Sequence, residues 1–121
     1  MSTRIKHDGW IGVDLDGTLA TYQGWQGITA IGEPIQRMVD RVKLWVREGR
    51  DVRIFTARVG PQSRSEDELP ATIAAIEAWC EEHIGVRLPV TCQKDFGMIE
   101  LWDDRCVQVI PNTGTRADGG E

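Results

Sequence analysis

Trp10-Ile11-Gly12-Val13-Asp14-Leu15-Asp16-Gly17-Thr18 is an apolar run that ends in two carboxylates one residue apart. Residues 10–15 read as a buried β-strand entering a turn. Residues i and i+2 of a strand point to the same side, so Asp14 and Asp16 lie together. Like charges that close raise each other's pKa and destabilise the site unless a metal or a shared proton relieves them. Gly17 lets the backbone turn tightly, and Thr18 adds a hydroxyl at the turn. Taken alone, the pentapeptide also fits an ordinary acidic turn after a strand.

Outward from this strand the chain alternates strand-like and helix-like segments. Residues 19–32 hold Gly24, Gly27, Gly32, Tyr22 and Trp25 and read as a loop or small hairpin. Glu33-Pro34 opens a helix, with Pro in its first turn. Ile35, Met38, Val39, Val42, Trp45 and Val46 recur in it at helical spacing, and Gly49 closes it. Residues 51–55 form the second strand and residues 60–68 a polar loop. Residues 70–84 form the second helix, with Ile73, Ile76, Trp79, Cys80 and Ile84 on one face. Residues 88–92 are a third strand shortened by Pro89. Residues 98–102 and 107–110 are the fourth and fifth. Residues 112–121 are Gly-rich and polar and read as a frayed tail.

Alternation of this kind predicts an α/β fold: one three-layer, Rossmann-like domain over residues 1–111, with a mainly parallel five-stranded sheet and no cap domain. Ligands of such sheets bind at the carboxyl ends of the strands, where strand order reverses. Asp14 and Asp16, Thr56, and Asp103 and Asp104 all fall at such ends.

A chain of 121 residues fits one core. Its net charge of −5 gives no ground for broad nucleic-acid affinity. No apolar run approaches a membrane span, and residues 1–9 lack the apolar stretch of a signal peptide. Cys80, Cys92 and Cys106 form no Cys-x-x-Cys pair and are odd in number. Free, mostly buried thiols in a reducing cytoplasm account for them, and no zinc-ligand pairing is visible.

Three further motifs follow Asp14–Thr18 in order. Thr56, in Phe55-Thr56-Ala57-Arg58, ends the second strand and can donate to a phosphate oxygen. Lys94, in Gln93-Lys94-Asp95-Phe96, offers a compact positive charge after the third strand, although Asp95 beside it is a competing partner. Asp103 and Asp104, in Leu101-Trp102-Asp103-Asp104-Arg105, offer hard oxygen ligands of the kind Mg²⁺ takes with a substrate phosphate.

Asp-x-Asp-Gly-Thr, then Thr, then Lys, then Asp-Asp, on strand ends of an alternating fold, resembles the haloacid dehalogenase-like phosphatase superfamily over residues 10–110. The resemblance implies an Mg²⁺-dependent phosphomonoester hydrolase. Asp14 would be the nucleophile that forms an aspartyl-phosphate, and Asp16 the general acid and base. Thr56, Lys94 and Gly17 would hold the phosphoryl group. Asp14, a backbone carbonyl of Asp16, and Asp103 or Asp104 would hold the metal; Asp103 is favoured as the direct ligand, with Asp104 behind it.

Superfamily members with a cap insert it after the first motif or between the second and third. Residues 19–55 hold one loop and one helix, and residues 59–93 one loop, one helix and one strand, so neither has room for a cap. A cleft so open favours a bulky phosphorylated substrate or a lid supplied by a second copy in a homo-oligomer. Tyr22, Trp25, Arg58, Arg64 and Arg105 are candidates for its rim. Each has an ordinary reading too, Trp25 as a packing anchor and Arg64 as a solvated charge. The other tryptophans read as packing, and His7 and His83 as structural or solvated. Two other classes share these features: a receiver-type phospho-acceptor signalling domain, and a protein that binds a phosphorylated ligand without turnover.

Overall fold

A computed structural model describes residues 9–121 of the chain, so the readings of residues 1–8, His7 among them, lie outside the described residues. Four strands and two helices follow in the order β1 (Trp10–Val13), α1 (Gln36–Arg47), β2 (Asp51–Phe55), α2 (Leu69–His83), β3 (Val90–Thr91) and β4 (Met98–Trp102). The strands form one sheet in the order β3-β2-β1-β4, and every pairing is parallel.

β1 and β2 alternate. Ile11 and Val13 of β1, and Val52 and Ile54 of β2, point into one core with Val39, Val42 and Trp45 of α1 and Ile76, Trp79 and Cys80 of α2. Full burial of each such aliphatic side chain is worth roughly 1.5–3 kcal/mol. Both helices therefore lie on one face. This follows from handedness: β1 to β2 and β2 to β3 step across the sheet in the same direction, and right-handed crossovers then put both helices on the same side.

The chain steps back from β3 to β4 through residues 92–97, which form no helix. That loop crosses the second face over Trp10. The Trp10 backbone N–H donates to the Gly97 carbonyl (2.7 Å), and its indole N–H donates to Asp95 Oδ1 (2.8 Å). Arg53 and Phe55 complete the cover of Trp10. The expectation of three layers is corrected to one helical layer on the sheet, with a loop across the other side.

Other expectations are corrected locally. Among the described residues the sheet has four strands rather than five, because residues 107–110 fold back on the tail instead of adding to β4. Ile110 N–H donates to Thr115 O and Ala117 N–H to Gln108 O, both at 2.8 Å. Asn112 and Gly114 turn this segment with positive φ angles of 66° and 74°. α1 starts at Gln36 and not at Glu33-Pro34. The Ile35 N–H is taken by the Leu19 carbonyl and the Thr21 N–H by Glu33 (both 2.8 Å), so residues 33–35 stay extended against residues 19–21. β3 shrinks to two residues after Pro89, which has no N–H to give the ladder. Of the thiols, Cys80 is buried, but Cys92 is half-buried and Cys106 exposed; all three are free. Trp45 and Trp79 are core residues as expected, and His83 rests on the Trp79 ring at 4.6 Å. Among the described residues no helix is long and apolar enough to cross a membrane.

Candidate active site

β1 is the strand at which order reverses: the chain leaves it toward β2 on one side and returns to β4 on the other. The crevice of a parallel sheet opens at the carboxyl end of such a strand. Asp14 stands there. Its N–H donates to the Trp102 carbonyl (2.8 Å), which ties the end of β1 to the end of β4. The chain then turns at once. Leu19 and Ala20 N–H groups donate to the Leu15 carbonyl (3.0 and 2.8 Å), and Gly17 N–H donates to Ala20 O (2.8 Å). Gly17 has φ of +91°, and a Cβ there would lie 2.6 Å from Asp104 Oδ2, so both the turn and the approach of β4 need glycine.

Carboxylate oxygens of Asp14, Asp103 and Asp104 lie within 4.8 Å of one another. Asp104 is held by Thr18: its N–H donates to Thr18 Oγ1 (3.0 Å), and the Thr18 hydroxyl donates to Asp104 Oδ1 (3.3 Å). Asp103 Oδ1 accepts the Arg105 N–H (2.8 Å). Burial, then the charge of Asp103, then the hydrogen bond and charge of Asp104, push the Asp14 carboxyl up to about 7 from its ordinary 3.8. Three hard oxygen donors crowded in this way are chemically suited to Mg²⁺, whose positive charge would offset their mutual repulsion.

Asp16 stands apart from that trio. Arg58 clamps it with a two-pronged ion pair, Nε to Oδ2 at 2.7 Å and Nη2 to Oδ1 at 2.9 Å. Arg58 Nη2 also donates to the Ala30 carbonyl (2.9 Å). Arg58 is reached through a short 3₁₀ turn, Ala57–Val59, that Thr56 begins. Thr56 Oγ1 accepts the Arg58 N–H (3.1 Å), which leaves its hydroxyl proton free.

Asp14, Asp16, Thr56, Asp103 and Asp104 line one cleft of about 720 Å³, together with Tyr22, Trp25, Arg58, Arg64 and Arg105. A second hollow of about 340 Å³ lies under the loop of residues 21–33, and Asp16 and Arg58 line both. Gly17 lies instead in a neighbouring hollow with Arg37 and Arg41, and its N–H is already taken. Lys94 is exposed on the loop after β3 and does not line the cleft; Asp95, its competing partner in sequence, is engaged by Trp10 and the Gly97 N–H.

Arg58, a rim candidate, does line the cleft, but as a buried side chain only 5% exposed that pairs with Asp16. Cys92 also lines the cleft, and nothing in its sequence context marks it.

The chain matches no protein-family model and no curated protein. Its fold is similar to a solved structure of the conserved protein coded by a locus from Bacteroides thetaiotaomicron, with a TM-score of 0.55 and 23% sequence identity over 86% of this chain and 82% of that one. At that identity the likeness carries the fold alone: an α/β domain built on a parallel sheet.

Proposed function

We propose that the chain is an Mg²⁺-dependent phosphomonoester hydrolase of the haloacid dehalogenase-like superfamily, of the capless type. The observation that carries this reading is the convergence of Asp14, Asp103 and Asp104 at the ends of β1 and β4, with Asp16 and Thr56 in the same cleft.

In this reading an Asp14 carboxylate oxygen attacks the phosphorus, and the bond to the leaving oxygen breaks. Asp16 gives that oxygen a proton. Asp16 then takes a proton from water, which attacks the aspartyl-phosphate and releases phosphate and free Asp14. The Thr56 hydroxyl donates to a phosphoryl oxygen. Bound metal would be held by Asp14 with Asp103 or Asp104, and would supply positive charge to the phosphoryl oxygens and to Asp14. Arg58 engages both Asp16 oxygens, so the clamp must open before Asp16 can turn to the leaving oxygen. The role implied for Lys94 requires the exposed loop of residues 92–97 to turn its ammonium toward Asp14.

The 720 Å³ cleft has room for a nucleotide-sized phosphorylated substrate. Three free thiols suit a reducing compartment such as the cytoplasm. A second reading, a protein that binds a phosphorylated ligand without turnover, draws support from the Asp16–Arg58 clamp.

The test is hydrolysis of p-nitrophenyl phosphate and of nucleotide and sugar phosphates with Mg²⁺. Mass spectrometry should then find a phosphoryl group on the peptide that contains Asp14 after acid quench. Turnover with that adduct is the expected result. Binding of phosphate esters without turnover would establish the second reading instead.

A further inference from the structure

Trp25 carries two guanidinium groups, Arg58 with Cζ 4.9 Å from the ring centroid and Arg64 with Cζ at 4.3 Å. Only one of them is neutralised. Arg58 has Asp16, whereas Arg64 donates to the Ser63 carbonyl and has no carboxylate partner among the described residues. Two donors are also left over. Arg58 Nη1 and Arg64 Nε are buried without a hydrogen-bond partner among the described residues, and Arg58 is 95% buried (5% exposed) in the wall of the cleft. A buried guanidinium N–H without an acceptor is costly, and two of them in arginines that share one aromatic ring are unusual unless an acceptor arrives. The Trp25 ring against which both guanidiniums rest is itself 47% exposed, so it lies at the mouth of the cleft and not in the core.

We infer that Arg58, Arg64 and Trp25 form a second anion subsite that takes a further phosphate group of the substrate, beside the phosphoryl position at Asp14. Arginine forks match phosphate oxygens, and a phosphate would supply the acceptors that these donors lack. The same event has a consequence for Asp16. A dianion that engages Arg58 competes with the Asp16 carboxylate for its guanidinium, so the correct substrate loosens the clamp on the acid and base. This inference rests on the phosphatase reading for its name as a substrate subsite, but the subsite itself is a matter of binding.

Its test therefore uses the turnover-deficient Asp14→Asn chain with Mg²⁺, titrated calorimetrically with adenosine 3′,5′-bisphosphate and with AMP. The adenine is common to both, so stacking cancels and the second phosphate alone is compared. The bisphosphate should bind about tenfold tighter. Adding Arg64→Gln, a change in the loop outside the helices and strands, should erase most of that ratio. Arg58→Lys, which keeps the charge and loses the fork, should reduce it as well; if that variant does not fold, Arg64→Gln decides. Equal affinities for the two ligands, or a ratio untouched by Arg64→Gln, would overturn the subsite. A tenfold ratio in Asp14→Asn beside a wild-type chain that hydrolyses no phosphate ester would remove the phosphatase reading and leave the subsite standing.

Discussion

Asp14→Asn is expected to abolish turnover, by on the order of 10³-fold or more, while the metal-free protein becomes more stable at neutral pH. The first effect is chemical: an amide cannot attack phosphorus and form the acyl-phosphate. The second is electrostatic. Burial, Asp103 and Asp104 hold the folded Asp14 carboxyl at about 7 against 3.8 ordinarily. Between those values the folded chain binds a proton that the unfolded chain has lost. Metal-free stability therefore falls as pH rises from about 4 to about 7, and the full penalty is present above 7. The group is only partly buried, so solvent screening leaves roughly 1–2 kcal/mol of it. Asn removes the charge and the dependence together. Thermal unfolding from pH 4 to 8 in EDTA would show a sloping wild-type profile and a flatter one for the variant. Wild-type turnover in Asp14→Asn would sink the nucleophile assignment, and parallel slopes would sink the electrostatic one.

Mg²⁺ is expected to reverse that penalty, and Asp103→Asn to remove the reversal. A cation at the trio binds the folded chain alone, so at a hundredfold excess over its dissociation constant it adds about 2.7 kcal/mol, or several degrees in melting temperature. The gain should grow as pH rises through the range in which Asp14 loses its proton, because the metal competes with that proton. Asp103→Asn replaces one of three carboxylates by a neutral amide and should take both the thermal shift and the turnover with it. Differential scanning fluorimetry with Mg²⁺ or EDTA reads the first and p-nitrophenyl phosphate the second. A melting temperature indifferent to Mg²⁺ at pH 8 would exclude the proposed metal centre.

What the sequence disclosed and what it hid divide along one physical line. Asp14 at the end of β1, Thr56 after β2 and Asp103-Asp104 after β4 were legible because strand alternation and strand ends are local patterns, and a parallel sheet gathers its carboxyl ends in one place. The clamp on Asp16 was not legible, since Arg58 stands 42 residues away and only the folded chain makes them neighbours. Residues 107–110 have strand-forming composition, but composition does not name a partner. The turn at Asn112 and Gly114 offers them the tail, and β4 stays at the edge. The single helical layer was encoded too, in the shortness of the β3–β4 connection, which has six residues where a covering helix would need more than ten.

The return of the chain to β1 also sets an order in time. β1, α1, β2, α2 and β3 join sequential neighbours, whereas β4 pairs with a strand more than eighty residues earlier. Loop closure makes that pairing the slowest contact to gain and, at an exposed edge, the easiest to lose. Asp103 and Asp104 arrive only with it. A cation that bridges them to Asp14 is then a clasp on the last strand to dock. We predict that Mg²⁺ slows unfolding far more than it speeds refolding, and comparable shifts in both rates by stopped-flow fluorescence would argue against late docking of β4.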